Sequence, residues 1–304
     1  MRVLAIGECM AELAPTGTGD DLRLGFAGDT FNTAWYLNRC APDVKVSYLT
    51  CVGDDAISDK MRAFICASGI DDGFVQTAKG KTVGLYMISL NNGERSFSYW
   101  RGQSAAKDLA NDPAVLDQAM ADTDLIYFSG ITLGILSPQG RANLLAALRN
   151  ARTAGKTIAF DPNLRARLWA SDTEMTDTIM QGAAVSDIAL PSFDDEAEWF
   201  NDAAPRATVD RYLAVGATTV IVKNGVAPVI YVAPSECGEA PVTPVETMID
   251  STAAGDSFNA GVFAQLANNT PLAQSIAYGC KLSRAVVQQR GALVPLDLTQ
   301  IVIK

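Results

Sequence analysis

The sequence contains no histidine. That absence removes Ser-His-Asp and Cys-His catalysis, HExxH metalloproteases and imidazole-bound metals. Any general base must be Asp, Glu, Lys, Tyr or Cys. Cations are also scarce: 24 Lys and Arg stand against 34 Asp and Glu, giving a formal charge of −10 and a pI near 4.6. No basic run offers to neutralise phosphates, so nucleic acid is not expected as a partner. Cys9, Cys40, Cys51, Cys66, Cys237 and Cys280 are scattered without a CxxC pair. That spacing favours free thiols in a reducing cytoplasm over a disulfide framework or zinc site. No apolar run approaches the roughly 18–20 residues of a membrane span. Residues 3–6 are followed by Glu8 and Glu12, which is unlike a signal peptide. What is present is globular: 304 residues, 48% hydrophobic and 19% charged, enough for one large domain or a domain with a small subdomain.

Apolar patterning alternates between strand and helix. Residues 3–6, 46–52, 125–129, 157–160, 188–190 and 218–222 read as strands. Helical spacing covers 29–39, 58–68, 138–154, 255–268 and 272–289. Repeated β–α units imply a parallel sheet covered by helices. Residues 82–90 and 96–99 differ, reading as an inserted hairpin turned at Asn91-Asn-Gly93. Three partial motifs fail and read as turns. Gly80-Lys-Thr82 lacks the first glycine of a P-loop, because position 75 is Val. Gly17-Thr-Gly19 lacks the third glycine of a dinucleotide fingerprint. Gly130-Ile-Thr-Leu-Gly134 resembles a nucleophile elbow in a chain with no histidine to serve it.

The most informative stretch is Asp250-Ser-Thr-Ala-Ala-Gly-Asp-Ser-Phe258, which opens a helix with Phe258, Val262, Phe263 and Leu266 on one face. Ala253, Ala254 and Gly255 would present backbone N–H groups at the helix start, where anions bind. Asp256 would stand beside such an anion. A cradle next to a carboxylate suits phosphoryl transfer to a hydroxyl. The plainer alternative is that Ser251 or Thr252 caps the helix and Asp256 complements its dipole. In Ala27-Gly-Asp-Thr-Phe-Asn-Thr-Ala34, Gly28 permits close backbone approach and Asp29 and Asn32 can bond sugar hydroxyls, or Asp29 simply caps a helix. Tyr99-Trp-Arg101 and Asp161-Pro-Asn-Leu-Arg165 put an arginine at two strand ends. Such a pair could hold a carboxylate, or each arginine could form a surface salt bridge.

The 250–256 stretch resembles the Asp-Thr-x-Gly-Ala-Gly-Asp signature of the ribokinase-like (PfkB) carbohydrate kinases. Ala253 replaces the first Gly, as in the branch that phosphorylates 2-keto-3-deoxygluconate. Residues 27–34 resemble the family's N-terminal signature, with Ala27 for the usual first Gly. The resemblance runs collinearly from Ile6 to Ala292. It implies one domain over 1–304, a ribokinase-like three-layer α/β/α sandwich with a small β-sheet lid from about 9–26 and 74–105. The implied catalytic set is Asp256 with Ala253, Ala254 and Gly255. The implied substrate set is Gly28, Asp29, Asn32, Tyr86, Tyr99, Arg101, Arg165 and Asp256. For ATP it implies Asn163, Ser192, Lys223, Gly225, Ala253 and Gly255, with Gly291-Ala292 near the adenine. Glu196, with Asp195 as the alternative match, would help hold magnesium, directly or through water, although the Asn of the family's Asn-x-x-Glu region is missing. The family's frequent Asn in the last long helix is also missing, which leaves adenine contacts unassigned.

The resemblance thus implies ATP-dependent phosphorylation of a sugar acid at its terminal hydroxyl, with Mg2+, room for a monovalent cation, and homo-oligomers formed through the lid. A helix N-terminus should lower the pKa of Asp256 and weaken it as a base. A loose transition state, in which positioning matters more than basicity, tolerates that. A sister kinase for fructose, ribose or a nucleoside, and a non-catalytic sugar-binding protein, are the alternatives.

Overall fold

The computed structural model describes residues 1–17, 19–91 and 94–301; Asn92 and Gly93 of the expected hairpin turn lie outside the described residues. The strands are β1 (Arg2–Ile6), β2 (Met10–Pro15), β3 (Leu22–Ala27), β4 (Lys45–Val52), β5 (Val75–Thr77), β6 (Leu85–Asn91), β7 (Glu94–Trp100), β8 (Leu125–Ser129), β9 (Thr157–Asp161), β10 (Ile188–Ala189), β11 (Thr219–Val222), β12 (Val229–Val232) and β13 (Cys237–Ala240). The helices are α1 (Asp29–Cys40), α2 (Ala56–Ala67), α3 (Pro113–Ala121), α4 (Gly130–Ile135), α5 (Pro138–Thr153), α6 (Asp172–Ala184), α7 (Phe193–Phe200), α8 (Pro205–Ala214), α9 (Ala254–Leu266) and α10 (Leu272–Val286).

Among the described residues, nine strands form one sheet in the order β13-β12-β11-β10-β9-β8-β1-β4-β5. It is parallel from β11 to β5, and β12 and β13 extend it antiparallel. Both faces are buried, which explains why its central strands are apolar runs rather than alternating ones. Successive residues serve opposite cores. Val3 and Ala5 pack with α1, α9 and α10, whereas Leu4 and Ile6 pack with α3, α5 and α6. The result is the three-layer α/β/α sandwich that the alternation of β and α units requires.

A second sheet, in the order β3-β2-β6-β7, stands apart from the first. Its β6–β7 hairpin pairs Tyr86 with Tyr99. Residues 75–77, expected in the same unit as this hairpin, pair instead with β4 at the edge of the large sheet, so the small sheet resumes only at Leu85. The 130–134 segment, read above as a turn, is helical. A reciprocal capping box between Ser129 and Thr132 starts α4 there. All six cysteines are unpaired. Among the described residues, no helix is long and apolar enough to cross a membrane.

Two glycines let α9 and α10 touch. A Cβ on Gly261 would fall 2.7 Å from Gly279 Cα, and one on Gly279 would fall 2.8 Å from Phe258 O. Gly261→Val should therefore destabilise the fold by about 1–3 kcal/mol or more through overpacking. Gly102→Ala, facing open space, should be near neutral. Urea unfolding of both variants checks the contrast.

Candidate active site

A cleft of about 1140 Å3 opens at the carboxyl ends of the parallel strands, with the small sheet contributing one wall. That is where open α/β sheets bind ligands. Four of these strands deliver a polar group to it: Glu8 follows β1, Asp161 ends β9, Ser192 follows β10 and Lys223 follows β11.

The start of α9 faces the cleft without a side-chain cap. Neither Ser251 nor Thr252 caps it. Thr252 instead donates its N–H (3.0 Å) and hydroxyl (2.7 Å) to Asp250 Oδ1, while Asp250 Oδ2 accepts the Gly291 N–H at 2.6 Å. Ala253 occupies the cap position with φ +59°, a left-handed conformation that costs a non-glycine residue roughly 1–2 kcal/mol. The expected cradle is narrower by one donor, because the Ala254 N–H is bonded to Ser251 O at 3.1 Å. Among the described residues, no backbone acceptor meets the N–H groups of Gly255 and Asp256. These two donors point an uncompensated positive dipole end at the cleft.

Asp256 is buried in the first turn of α9. Asn32 Nδ2 donates to its Oδ2 at 2.8 Å. Its pKa is pushed up to about 8, chiefly by burial and then by Asp29 and Asp161, against the opposing pull of Asn32 and Lys223. The lowered pKa expected from the helix dipole is therefore reversed. Desolvation of the charged form and two nearby acids outweigh a partial charge. Asp29 is likewise raised by burial, and its Oδ2 accepts from Asn163 Nδ2 at 3.0 Å. Asp161 is the acceptor that holds the group together. Its Oδ2 receives Lys223 Nζ at 2.7 Å and Asn259 Nδ2 at 2.6 Å. Lys223 thereby stays beside the start of α9, where a Cβ on Gly255 would lie 3.4 Å from its amine. Gly28 fits where no other residue would, since a Cβ there would sit 2.1 Å from Glu8 O. Its N–H donates to Asn32 Oδ1 at 3.3 Å.

The sugar-side residues gather on the wall built by the small sheet. Tyr86 and Tyr99 stack at 5.8 Å and 29°, and the Tyr86 hydroxyl donates to Glu12. Arg101 forms a buried ion pair with Glu8, whose other oxygen accepts from Ser104. Arg165, across the cleft, pairs with Asp195 at 3.5 Å.

Tertiary structure thus brings the sequence-proposed residues to one cleft, except Glu196 and Gly291; Gly291 lies just behind the cleft lining formed by Ala292, its N–H held by Asp250. Glu196 is fully buried. Its oxygens accept from Arg211 Nη2 (2.8 Å) and the Tyr212 hydroxyl (2.9 Å), so it is not available to a cleft-bound metal. Its neighbours on α7, Asp194, Asp195 and Glu198, line the cleft instead. Helical spacing turns Glu196 inward while leaving 194, 195 and 198 on the open side. Among the described residues no cluster of three acids, cysteines or histidines could hold a metal by itself. Magnesium, which keeps several waters, needs no such cluster.

Sequence reasoning missed Asn259, although its position three residues after Asp256 places it on the same helix face. It also missed Arg167, for which no motif gave a signal.

Comparison with known proteins gives the family. Residues 1–298 match the pfkB family carbohydrate kinases. The chain is 37% identical over 304 residues to a 2-dehydro-3-deoxygluconokinase of Dickeya dadantii, covering 97% of each chain. The crystal structure of a Thermotoga maritima 2-dehydro-3-deoxygluconokinase superposes with a TM-score of 0.86 at 18% identity, covering 99% of this chain and 98% of that one. A Xylella fastidiosa fructokinase with bound ATP superposes with a TM-score of 0.82 at 20% identity, covering 96% and 93%. Fold, cleft and sequence together place this chain in the pfkB family of carbohydrate kinases.

Proposed function

We propose that the protein transfers the terminal phosphoryl group of ATP to the terminal hydroxyl of 2-keto-3-deoxygluconate, giving the 6-phosphate. The observation that carries this reading is buried Asp256 at the uncapped start of α9, in one cleft with Tyr99, Arg101 and Arg165. The name of the 37%-identical relative supports the same substrate.

The residues present fit the nucleotide. The free N–H groups of Gly255 and Asp256 would receive the migrating phosphoryl group, with Lys223 beside them. Asn163, Ser192 and Gly225 line the same cleft. Val242, Met248, Val287 and Ala292 add an apolar wall suited to a base. Asp194, Asp195 and Glu198 would hold magnesium through its waters. When bound, magnesium neutralises charge on the phosphate oxygens. Asn32 orients Asp256 toward the hydroxyl. Asp256 takes the hydroxyl proton as the new O–P bond forms and the β–γ bridging bond breaks, its electron pair leaving with ADP. The raised pKa makes Asp256 a stronger base than an ordinary carboxylate. We assign the small sheet, residues 10–27 and 85–100, as the lid that closes over the sugar and excludes water. Leu22, Leu24, Phe97 and Trp100 leave apolar surface exposed on it, which suits a homo-oligomer.

The reading is tested by ATP consumption with Mg2+ against 2-keto-3-deoxygluconate, 2-keto-3-deoxygalactonate, fructose and ribose. Turnover confined to the acids is expected. Preference for a neutral sugar would remove the acid from the reading, and no turnover at all would leave a binding protein. Asp256→Asn should lower kcat by about 10²–10⁴-fold while isothermal titration finds ATP affinity retained. For the wild type, kcat/KM should climb with pH and level off above about 8, as Asp256 ionises. Replacing Lys223 by Met, which removes a charge that favours the ionised form, should move that rise to higher pH. Stability should show the opposite sign. The wild-type contribution of Asp256 is fully present below the ordinary carboxylate pKa and is lost as pH rises through about 8. Asp256→Asn should therefore melt several degrees above wild type at pH 9, with the gap closing at acidic pH in a thermal-shift series.

A further inference from the structure

Arg101, Arg165 and Arg167 all line the cleft, but they do not offer the same charge. Arg101 is compensated by Glu8, which is 2% exposed. Breaking that pair would strand a buried carboxylate, so Arg101 cannot leave it for a ligand, and an incoming carboxylate would also meet the field of Glu8. What Arg101 retains is direction: its Nε is buried and without a partner. Arg165 is compensated by Asp195, and its Nη1 also donates to Leu164 O at 2.6 Å. Arg167 forms no ion pair among the described residues. It sits in the short turn after β9, and its guanidinium lies 3.8 Å from the centroid of the Tyr99 ring. Tyr99 is stacked on Tyr86, whose hydroxyl is anchored by Glu12. Stacking uses the face of a guanidinium and leaves its in-plane N–H donors available, in the fork geometry that fits a carboxylate. Arg284, also without a carboxylate partner among the described residues, lies on α10 and donates to Pro244 O, beside the apolar wall.

We propose that Arg167 is a specificity-determining residue that supplies the uncompensated positive charge for the substrate's carboxylate, while Arg101 contributes an oriented hydrogen bond. The assignment rests on the sugar-acid kinase reading above. The ladder Glu12–Tyr86–Tyr99–Arg167 fixes the guanidinium from the small sheet. Acid recognition and closure of that sheet would then share one residue.

The test measures kcat, KM for 2-keto-3-deoxygluconate and KM for ATP in the full chain as wild type, Arg167→Gln, Arg167→Lys and Arg165→Gln, at two salt concentrations. Arg167→Gln should raise KM for the acid about tenfold or more, as loss of a charged hydrogen bond does, and leave KM for ATP within about twofold. Arg167→Lys should recover much of the loss. Arg165→Gln should have the smaller effect. Added salt should raise the wild-type KM for the acid and affect Arg167→Gln less, a response that a purely structural role would not give. An unchanged KM for the acid in Arg167→Gln, a matching rise in KM for ATP, or a larger effect from Arg165→Gln would overturn the assignment alone. A wild type that phosphorylates no sugar acid would overturn the kinase reading and the assignment with it, so the two failures are read from different proteins.

Discussion

A carboxylate cannot be enclosed without something to hold it, and Asp256 is enclosed where three chain segments meet. Asn32 on α1 bonds it, Lys223 after β11 opposes its neutralisation, and Asp29 and Asp161 press its pKa upward. Each of those two acids needs its own partner. Asn163 serves Asp29, while Lys223 and Asn259 serve Asp161. The polar network therefore ties α1, β9, β11 and α9 together at one end of the sheet. The first turn of α9 is left without a side-chain cap, and one of the two residues that could cap it, Thr252, is committed to Asp250. Activity in the proposed reading comes from what the fold leaves unsatisfied: two N–H groups and one carboxylate whose charged form is disfavoured until a substrate proton can be taken.

The opposite wall follows a different rule. Its cations are paired before any ligand arrives, Arg101 with Glu8 and Arg165 with Asp195. Pairing keeps buried charge affordable but takes away much of its attraction for an anion. An arginine that stacks on a ring instead of pairing keeps its charge uncompensated. Arg167 on Tyr99 is in that position, and it bridges the turn after β9 to the small sheet.

Much of the architecture was legible in the chain. Apolar runs such as residues 3–6 and 125–129 read as strands because a two-sided sheet leaves no polar face to alternate. The start of α9 was legible because small residues before an acid and an apolar face have few other uses. Less legible were β2 and β3, whose mixed residues Met10–Pro15 and Leu22–Ala27 half-cover an open sheet, and the short antiparallel edge formed by β12 and β13. Glu196 was preferred over Asp195 in an acidic run where only the helix rotation decides which side chain turns inward.

Sequence by itself determined the α/β class, the family, the absence of histidine chemistry, and the motif residues of the cleft such as Asp29, Asn32, Arg101, Lys223 and Asp256. These depend on local spacing and residue type, which a chain carries without folding. Tertiary structure alone decided the protonation tendency of Asp256, the loss of Ala254 from the cradle, the burial of Glu196 and which arginines are paired with carboxylates. Each is settled by desolvation and by partners far away in sequence, such as Glu8 for Arg101 and Asp161 for Lys223, and a pKa or a free charge exists only once those distances are fixed.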